Sequence, residues 1–172
     1  MTLGAALCGK EIPPDIREIL VLLNVEYSGF DGQRHCGQMV IHRELEDEVR
    51  QIFEEIATAN FPIEKMVPVV VYNWSDDKSM ADNNSSAFNY RKAVGKPQLS
   101  QHAYGRAIDI NPLQNPYVNR NLILPPKAIY HAHAHGTLLS DGPVVSAFER
   151  HGWTWGGRWT TFKDWHHFEK PE

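Results

Sequence analysis

The chain is short of three things, and each shortage excludes a class of protein. No apolar run approaches the roughly 20 residues that a membrane-spanning helix needs, so no membrane span is expected. Positive charge is in deficit, with 17 Lys and Arg against 21 Asp and Glu and a net charge of −4. That balance gives no electrostatic ground for a nucleic-acid partner. Cysteine is nearly absent: Cys8 and Cys36 are the two there are, and they lack the C-x-x-C spacing of a zinc–thiolate site. Two free or buried thiols and a Cys8–Cys36 disulfide stand as equal readings; a bridge would tie down the N-terminal arm for roughly 3 kcal/mol. The first ten residues also lack a basic n-region and a long enough apolar stretch for a signal peptide, and Leu7 stands before Cys8 where a lipoprotein signal has a small residue. The expectation is that no export signal lies in the chain as given, either because there is none or because it has been removed.

Repeats, linkers and low-complexity tracts are missing as well. At 172 residues, 42% apolar and 22% charged, the chain is long enough to bury a core and is expected to form one α+β domain. Pro13-Pro14-Asp15 opens a short helix over 16–20, followed by a β-branched strand ending near Tyr27. Gly29-Phe-Asp31-Gly32 is a turn cluster, and 37–42 returns as the second strand of a hairpin. Residues 44–60 read as an amphipathic helix, with Leu45, Val49, Ile52, Phe53 and Ile56 on one face. A buried strand is expected over 67–72, an irregular polar loop over 73–86 and a strand over 87–91. A second long irregular region covers about 111–141. Pro143 and Gly152 bracket a last helix.

Two motifs carry the chemistry. Ser100-Gln-His102-Ala-Tyr-Gly105-Arg-Ala107-Ile-Asp109 lies mid-chain, and Asp164-Trp-His-His167-Phe-Glu169 lies near the end. In a strand over 106–111, Ile108 and Ile110 face one side, and Ala107, Asp109 and Asn111 the other. His102 has the wrong parity to share a straight strand face with Asp109, so the chain must bend between them, and Gly105 is placed to allow it. Alone, such a His and Asp would read as a solvated side chain and an ordinary surface charge. The aromatic tail changes this, because a carboxylate and an imidazole set among Trp and Phe are costly unless paired or bound to an ion. Two imidazoles and a carboxylate could then hold one zinc, leaving a second carboxylate to work on water. Locally, His166 competes with His167 as the ligand. A His131-Ala-His133-Ala-His135 run could bind metal by itself, but no carboxylate stands beside it, and a surface segment is the preferred reading.

The pattern Ser100-x-His102-x-x-Gly105-x-Ala107-x-Asp109 with Asp164-x-x-His167 resembles the zinc D-alanyl-D-alanine carboxypeptidases of peptidase family M15. That family includes D,D-dipeptidases and L-alanyl-D-glutamate endopeptidases. Gly29-Phe-Asp-Gly32, Ser85-Ser-Ala-Phe-Asn-Tyr-Arg91, Asp109-Ile-Asn-Pro112 and Gly152-Trp-x-Trp-Gly-Gly are similar to one bacterial branch of it. The resemblance implies zinc ligands His102, Asp109 and His167, with Asp164 as general base. It implies that Arg91 steadies a substrate carbonyl or carboxylate and that Ser100 contacts substrate. It implies a Hedgehog/DD-peptidase-like α+β fold, a small antiparallel sheet flanked by helices with the zinc site on the sheet. The domain would span 25–172, with 1–24 as an N-terminal arm. The expected protein is a monomeric peptidase acting on peptidoglycan stem peptides, periplasmic or extracellular at the cell wall, and most readily a D-alanyl-D-alanine carboxypeptidase. The alternatives are an L-alanyl-D-glutamate endopeptidase and a non-catalytic zinc-containing cell-wall module. A metal-free carbohydrate-binding module is a further rival, suggested by the five tryptophans, for which core packing is the preferred reading.

Overall fold

A computed structural model describes residues 1–170. In chain order the elements are α1 (Leu3–Ala6), α2 (Pro14–Glu18), β1 (Leu20–Ser28), β2 (Arg34–His42), α3 (Glu46–Thr58), β3 (Lys65–Met66), α4 (Asp76–Ala81) and β4 (Asn84–Ser85). They continue with β5 (Ala107–Asp109), β6 (Tyr117–Asn119), β7 (Leu122–Leu124), α5 (Pro143–Arg150), β8 (Thr154–Trp155), β9 (Lys163–Asp164) and β10 (His167–Glu169). Helices and small sheets are mixed throughout, as an α+β reading requires. β1 and β2 form an antiparallel hairpin, β5–β10–β8 and β7–β6–β9 are antiparallel three-stranded sheets, and β3 pairs in parallel with β4.

The hairpin separates two apolar clusters, and its alternation explains why. Met39 and Ile41 point to the main core, while Val40 between them points the other way. On that second side Ala6, Leu7, Ile12, Ile16 and Leu20 pack with Val40 and Phe88, so the N-terminal residues cover one face of the hairpin. Trp74 Nε1 donates to the Cys8 carbonyl (2.8 Å) and pins the same segment. Cys8 and Cys36 are free and exposed, so the disulfide reading is not realised.

The main core lies between the hairpin, α3, α5 and the β5–β10–β8 sheet. Glu46, Asp47 and Glu48 in the first turn of α3 complement its dipole, and Val49, Ile52, Phe53 and Ile56 are buried. Pro143 starts α5, and Gly152 follows its end at φ 76°. Phe148 of α5 stacks on Phe168 of β10 at 4.0 Å, with Phe53 against its edge. Burying Phe168 inward turns its neighbours His167 and Glu169 to the opposite face of the strand, and this alternation sets up the site.

Four expectations of local structure need correction. Residues 67–72 are not a strand: Pro68 leads into a 3-10 turn over Val69–Tyr72 that ends at left-handed Asn73, and Val71 is exposed. The β-branched run argued for a strand, but proline removes a ladder donor and no neighbouring strand is there to pair with it. The 73–86 segment is not wholly irregular, because the Ser75 hydroxyl accepts from the Lys78 N–H and caps α4. Residues 87–91 form no strand; Phe88 N–H and Asn89 N–H donate singly, to the Val40 and His102 carbonyls. The 111–141 region holds the β6–β7 hairpin, built on too few residues for a periodic signal. The tryptophan reading fares better: Trp153 and Trp155 are core residues.

Candidate metal centre

The sharp bend expected before Asp109 exists, and it delivers His102. Residues Gln101–Tyr104 make a 3-10 turn whose first free N–H, that of His102, is accepted by the Ser100 hydroxyl (3.3 Å). Gly105 closes the turn at φ 67°, pressed on the hairpin; a Cβ there would lie 2.5 Å from the His42 nitrogen and 2.7 Å from the Ile41 carbonyl carbon. No other residue type fits both the angle and the space. β5 then pairs with β10 so that Asp109 faces His167 directly across the sheet.

His102, Asp109 and His167 thereby converge. One ligand atom from each lies within 4.8 Å of the others, and all three residues are buried. His102 Nε2 is 3.1 Å from Asp109 Oδ2, His167 Nδ1 is 3.0 Å from Asp109 Oδ1, and the two imidazole nitrogens are 3.2 Å apart. Each imidazole is anchored through its other nitrogen. His102 Nδ1 donates to the Ala87 carbonyl (2.5 Å), and His167 Nε2 donates to Glu169 Oε2 (3.2 Å). A neutral imidazole has one N–H and one lone pair, so once a metal displaces the protons shared with Asp109, both lone pairs would point inward, beside a carboxylate. Two inward imidazole lone pairs and a carboxylate oxygen, out of water, form a donor set suited to a divalent metal.

The charges around Asp109 follow from this crowding. Burial alone would raise the Asp109 carboxyl, yet the charges of His102 and His166 and hydrogen bonds from His102 and His167 hold it well below the usual carboxylate range. Burial would lower His167, but its bonds to Asp109 and Glu169 raise it to about 10. Burial likewise opposes protonation of His166, and Asp164 and Asp109 outweigh it, to about 9.

The adjacent histidines differ in direction. His166 is equally buried, but it donates Nδ1–H to the Asn115 carbonyl (2.7 Å) and turns Nε2 toward Asp164 Oδ1 (2.9 Å), with Asp109 Oδ2 farther off at 3.8 Å. The His166–Asp164 contact is an ion contact rather than an aligned hydrogen bond, since Asp164 Oδ1 is buried with no hydrogen-bond partner. Asp164 is on β9, paired with Tyr117, and its backbone packs on Gly156, where a Cβ would come within 2.5 Å of the Asp164 carbonyl oxygen. It stands next to the triad without belonging to it.

Arg91 and Ser100 are placed less directly. Arg91 is held by Asp76 (Nη2 to Oδ2, 2.9 Å), and Asn89 donates to the same carboxylate (3.2 Å). Among the described residues no ion pair or hydrogen bond joins Arg91 to the triad. Its link is through backbone: the Ser100 N–H donates to the Arg91 carbonyl, and the Asn89 N–H to that of His102. The Ser100 hydroxyl is occupied in capping the His102 turn. Sequence reasoning missed Asp76 and Glu169. Glu169 was detectable, being two residues after His167 on a strand and so on the same face; Asp76 sits in a capped helix that carries no motif. The histidines at 131, 133 and 135 lie in an exposed loop, and among the described residues only the His102–Asp109–His167 group could hold a metal.

Residues 94–170 match the protein family described as D-alanyl-D-alanine carboxypeptidase, a branch of M15. This segment, less than half of the chain, is similar to the M15 peptidases. The M15 segment contains Ser100, the triad and Asp164, whereas Arg91 and Asp76 precede it. M15 proteins are metallopeptidases, and the buried donor set here is one that could hold a metal. No curated protein and no solved structure matches the chain significantly. Among the described residues no helix is long and apolar enough to cross a membrane.

Proposed function

We propose that the chain is a zinc-dependent peptidase that hydrolyses D-amino-acid-containing bonds of peptidoglycan stem peptides, acting as a monomeric D-alanyl-D-alanine carboxypeptidase at the cell wall, in the periplasm or outside the cell. One observation carries this reading. A buried His-Asp-His set has inward lone pairs, and a further carboxylate, Asp164, is held beside it and left out of it. A structural zinc site is closed by a fourth protein ligand and has no use for a spare carboxylate. Here the nearest candidate for that fourth place, His166, is turned to Asp164 instead. The description of the matching family favours the carboxypeptidase over the endopeptidase.

His102 Nε2, Asp109 and His167 Nδ1 would hold the zinc. Bound there, zinc would polarise the scissile carbonyl and bring the pKa of a water from 15.7 toward about 7. The remaining work falls to side chains. Asp164 accepts a proton from the attacking water as the new C–O bond forms, and returns it to the leaving amine as the C–N bond breaks. His166, anchored at Asn115, carries a positive charge beside Asp164 and keeps that carboxylate aimed. Arg91, steadied by Asp76, binds the substrate carbonyl or terminal carboxylate, and Ser100 contacts substrate at the rim of the His102 turn.

The test is digestion of purified peptidoglycan and defined stem peptides by the zinc-loaded chain, with the products identified by mass. Loss of a terminal D-alanine is the expected result. Cleavage after the first L-alanine would replace the carboxypeptidase with the endopeptidase. A zinc-loaded protein that cleaves no peptide would leave the non-catalytic module.

A further inference from the structure

The two imidazoles of the triad are anchored in different ways, and the difference has a consequence for the metal. His102 is fixed by a main-chain carbonyl, that of Ala87, which no side-chain substitution removes. His167 is fixed by a side chain, because its Nε2 donates to Glu169 Oε2 at 3.2 Å. A histidine ring can rotate half a turn about its Cβ–Cγ bond and exchange the places of its two edges. For His167 that rotation would move the inward nitrogen away from Asp109 and His102, which Nδ1 now approaches to 3.0 and 3.2 Å. It would also leave the tautomer undetermined, since either nitrogen of a neutral imidazole can carry the proton.

Glu169 resolves both ambiguities from a position the strand dictates. Phe168 is stacked into the core, so His167 and Glu169 emerge side by side on the other face of β10. The carboxylate only accepts, so in the neutral imidazole that a metal requires the proton is placed on Nε2 and the lone pair on Nδ1. The Trp159 ring, centred 5.5 Å from the imidazole, limits its room to turn. Glu169 is only partly exposed, so the contact with His167 is shielded from solvent on one side.

We propose that Glu169 is a positioning residue for the metal, selecting the Nε2–H tautomer of His167 and holding its Nδ1 toward Asp109 and His102. This rests on the reading of these three residues as zinc ligands, and not on the reaction assigned to them. The experiment is a zinc titration of the full chain against a chromogenic chelator, comparing wild type with Glu169→Gln, Glu169→Asp and Glu169→Ala. Loss of a partner of this kind costs about 10–100-fold in metal affinity. Glu169→Ala is expected to show that loss. Glu169→Asp should share it, because its shorter arm cannot reach Nε2. Glu169→Gln should stay within a few-fold of wild type, because its amide oxygen accepts the same bond. A mere need for negative charge would give the reverse order, with Asp above Gln. Wild-type affinity in Glu169→Asp or Glu169→Ala, or a Glu169→Gln protein as weak as Glu169→Ala, would overturn the proposal. If Glu169→Ala does not fold, the Gln–Asp contrast decides alone. Peptidase assays play no part in the readout, so an inactive protein that still shows this order refutes the peptidase and leaves Glu169 in its role. A wild-type chain that takes up no zinc overturns both.

Discussion

Asp164→Asn separates the two jobs assigned to the site, holding metal and moving protons. The amide keeps the volume of the carboxylate and an oxygen that can face His166 Nε2, now 2.9 Å from Asp164 Oδ1, but it cannot take up a proton at neutral pH. Asp164 is not one of the three residues of the metal-binding group, so zinc content should stay at the wild-type level. General-base catalysis contributes about 10²–10⁴-fold, equivalent to about 2.7–5.4 kcal/mol of barrier. The upper part of that range is expected, because the side chain is only 15% exposed and water can replace a buried base only poorly. Alanine is the blunter probe. It would leave a buried, positively charged His166 with only the more distant Asp109, at 3.8 Å, as counter-charge, a change that lowers stability in its own right. The assay pairs metal content by elemental mass spectrometry with kcat on a stem peptide ending in D-alanyl-D-alanine. His102→Ala is the contrast, since it should lose metal and turnover together. An Asp164→Asn protein with a full complement of zinc and turnover within tenfold of wild type would remove Asp164 from the chemistry.

Three other outcomes follow from the same geometry. Gly105→Ala forces a Cβ to 2.5 Å from the His42 nitrogen at φ 67°, and about 2–4 kcal/mol of destabilisation is expected, read as a fall in Tm of roughly 4–16 °C; an unchanged Tm would mean that the bend before β5 is not rigid. Without bound metal, His166 and His167 titrate at about 9 and about 10 against 6.5 for an ordinary histidine, so their contribution to stability is complete below pH 6.5 and is lost as pH rises toward 10. The Tm of chelator-treated protein should fall over that window, and zinc uptake at pH 7 should release protons, detectable by calorimetry in buffers of different ionisation enthalpy; a Tm that rises from pH 7 to 9 would contradict the assignment. His166→Phe should keep zinc but lower kcat by up to roughly 10²-fold through loss of Asp164's anchor; an unaltered kcat would show that Asp164 needs no such support.

What could be read from the sequence is uneven, and the unevenness has a physical cause. Helix α3 is legible because thirteen residues repeat one face several times, and the β1–β2 hairpin because a turn cluster stands between two long apolar strands. Asp109 and His167 were recoverable as a pair from their motifs, though nothing in the spacing says that they meet across β5–β10. The segments 67–72 and 87–91 misled because their apolar residues pack as turns and single bonds rather than ladders. There, tertiary context decides what a short β-branched run becomes. Ligand choice between His166 and His167 depends on side-chain direction, which Phe168 sets by entering the core. No local pattern around two adjacent histidines contains that information.

The site is also less local than its motifs. The M15 segment begins at residue 94, yet the carbonyl that orients His102 belongs to Ala87, and Ser86 pairs with Asp109 through reciprocal N–H to carbonyl bonds of 3.0 and 2.8 Å. The turn that carries His102 rests on the end of β2, where the His42 N–H donates to the Gly105 carbonyl (2.9 Å). Asp76, from a helix in the polar stretch, holds Arg91 and Asn89 together next to the same turn. Apart from the Asp76 contacts, these supports act through backbone groups, which place few demands on residue type beyond the glycine at 105. Motif recognition therefore finds the side chains that could hold a metal and misses the scaffold that aims them. The residues before 94 belong to the same structural unit even though the family match begins only after them.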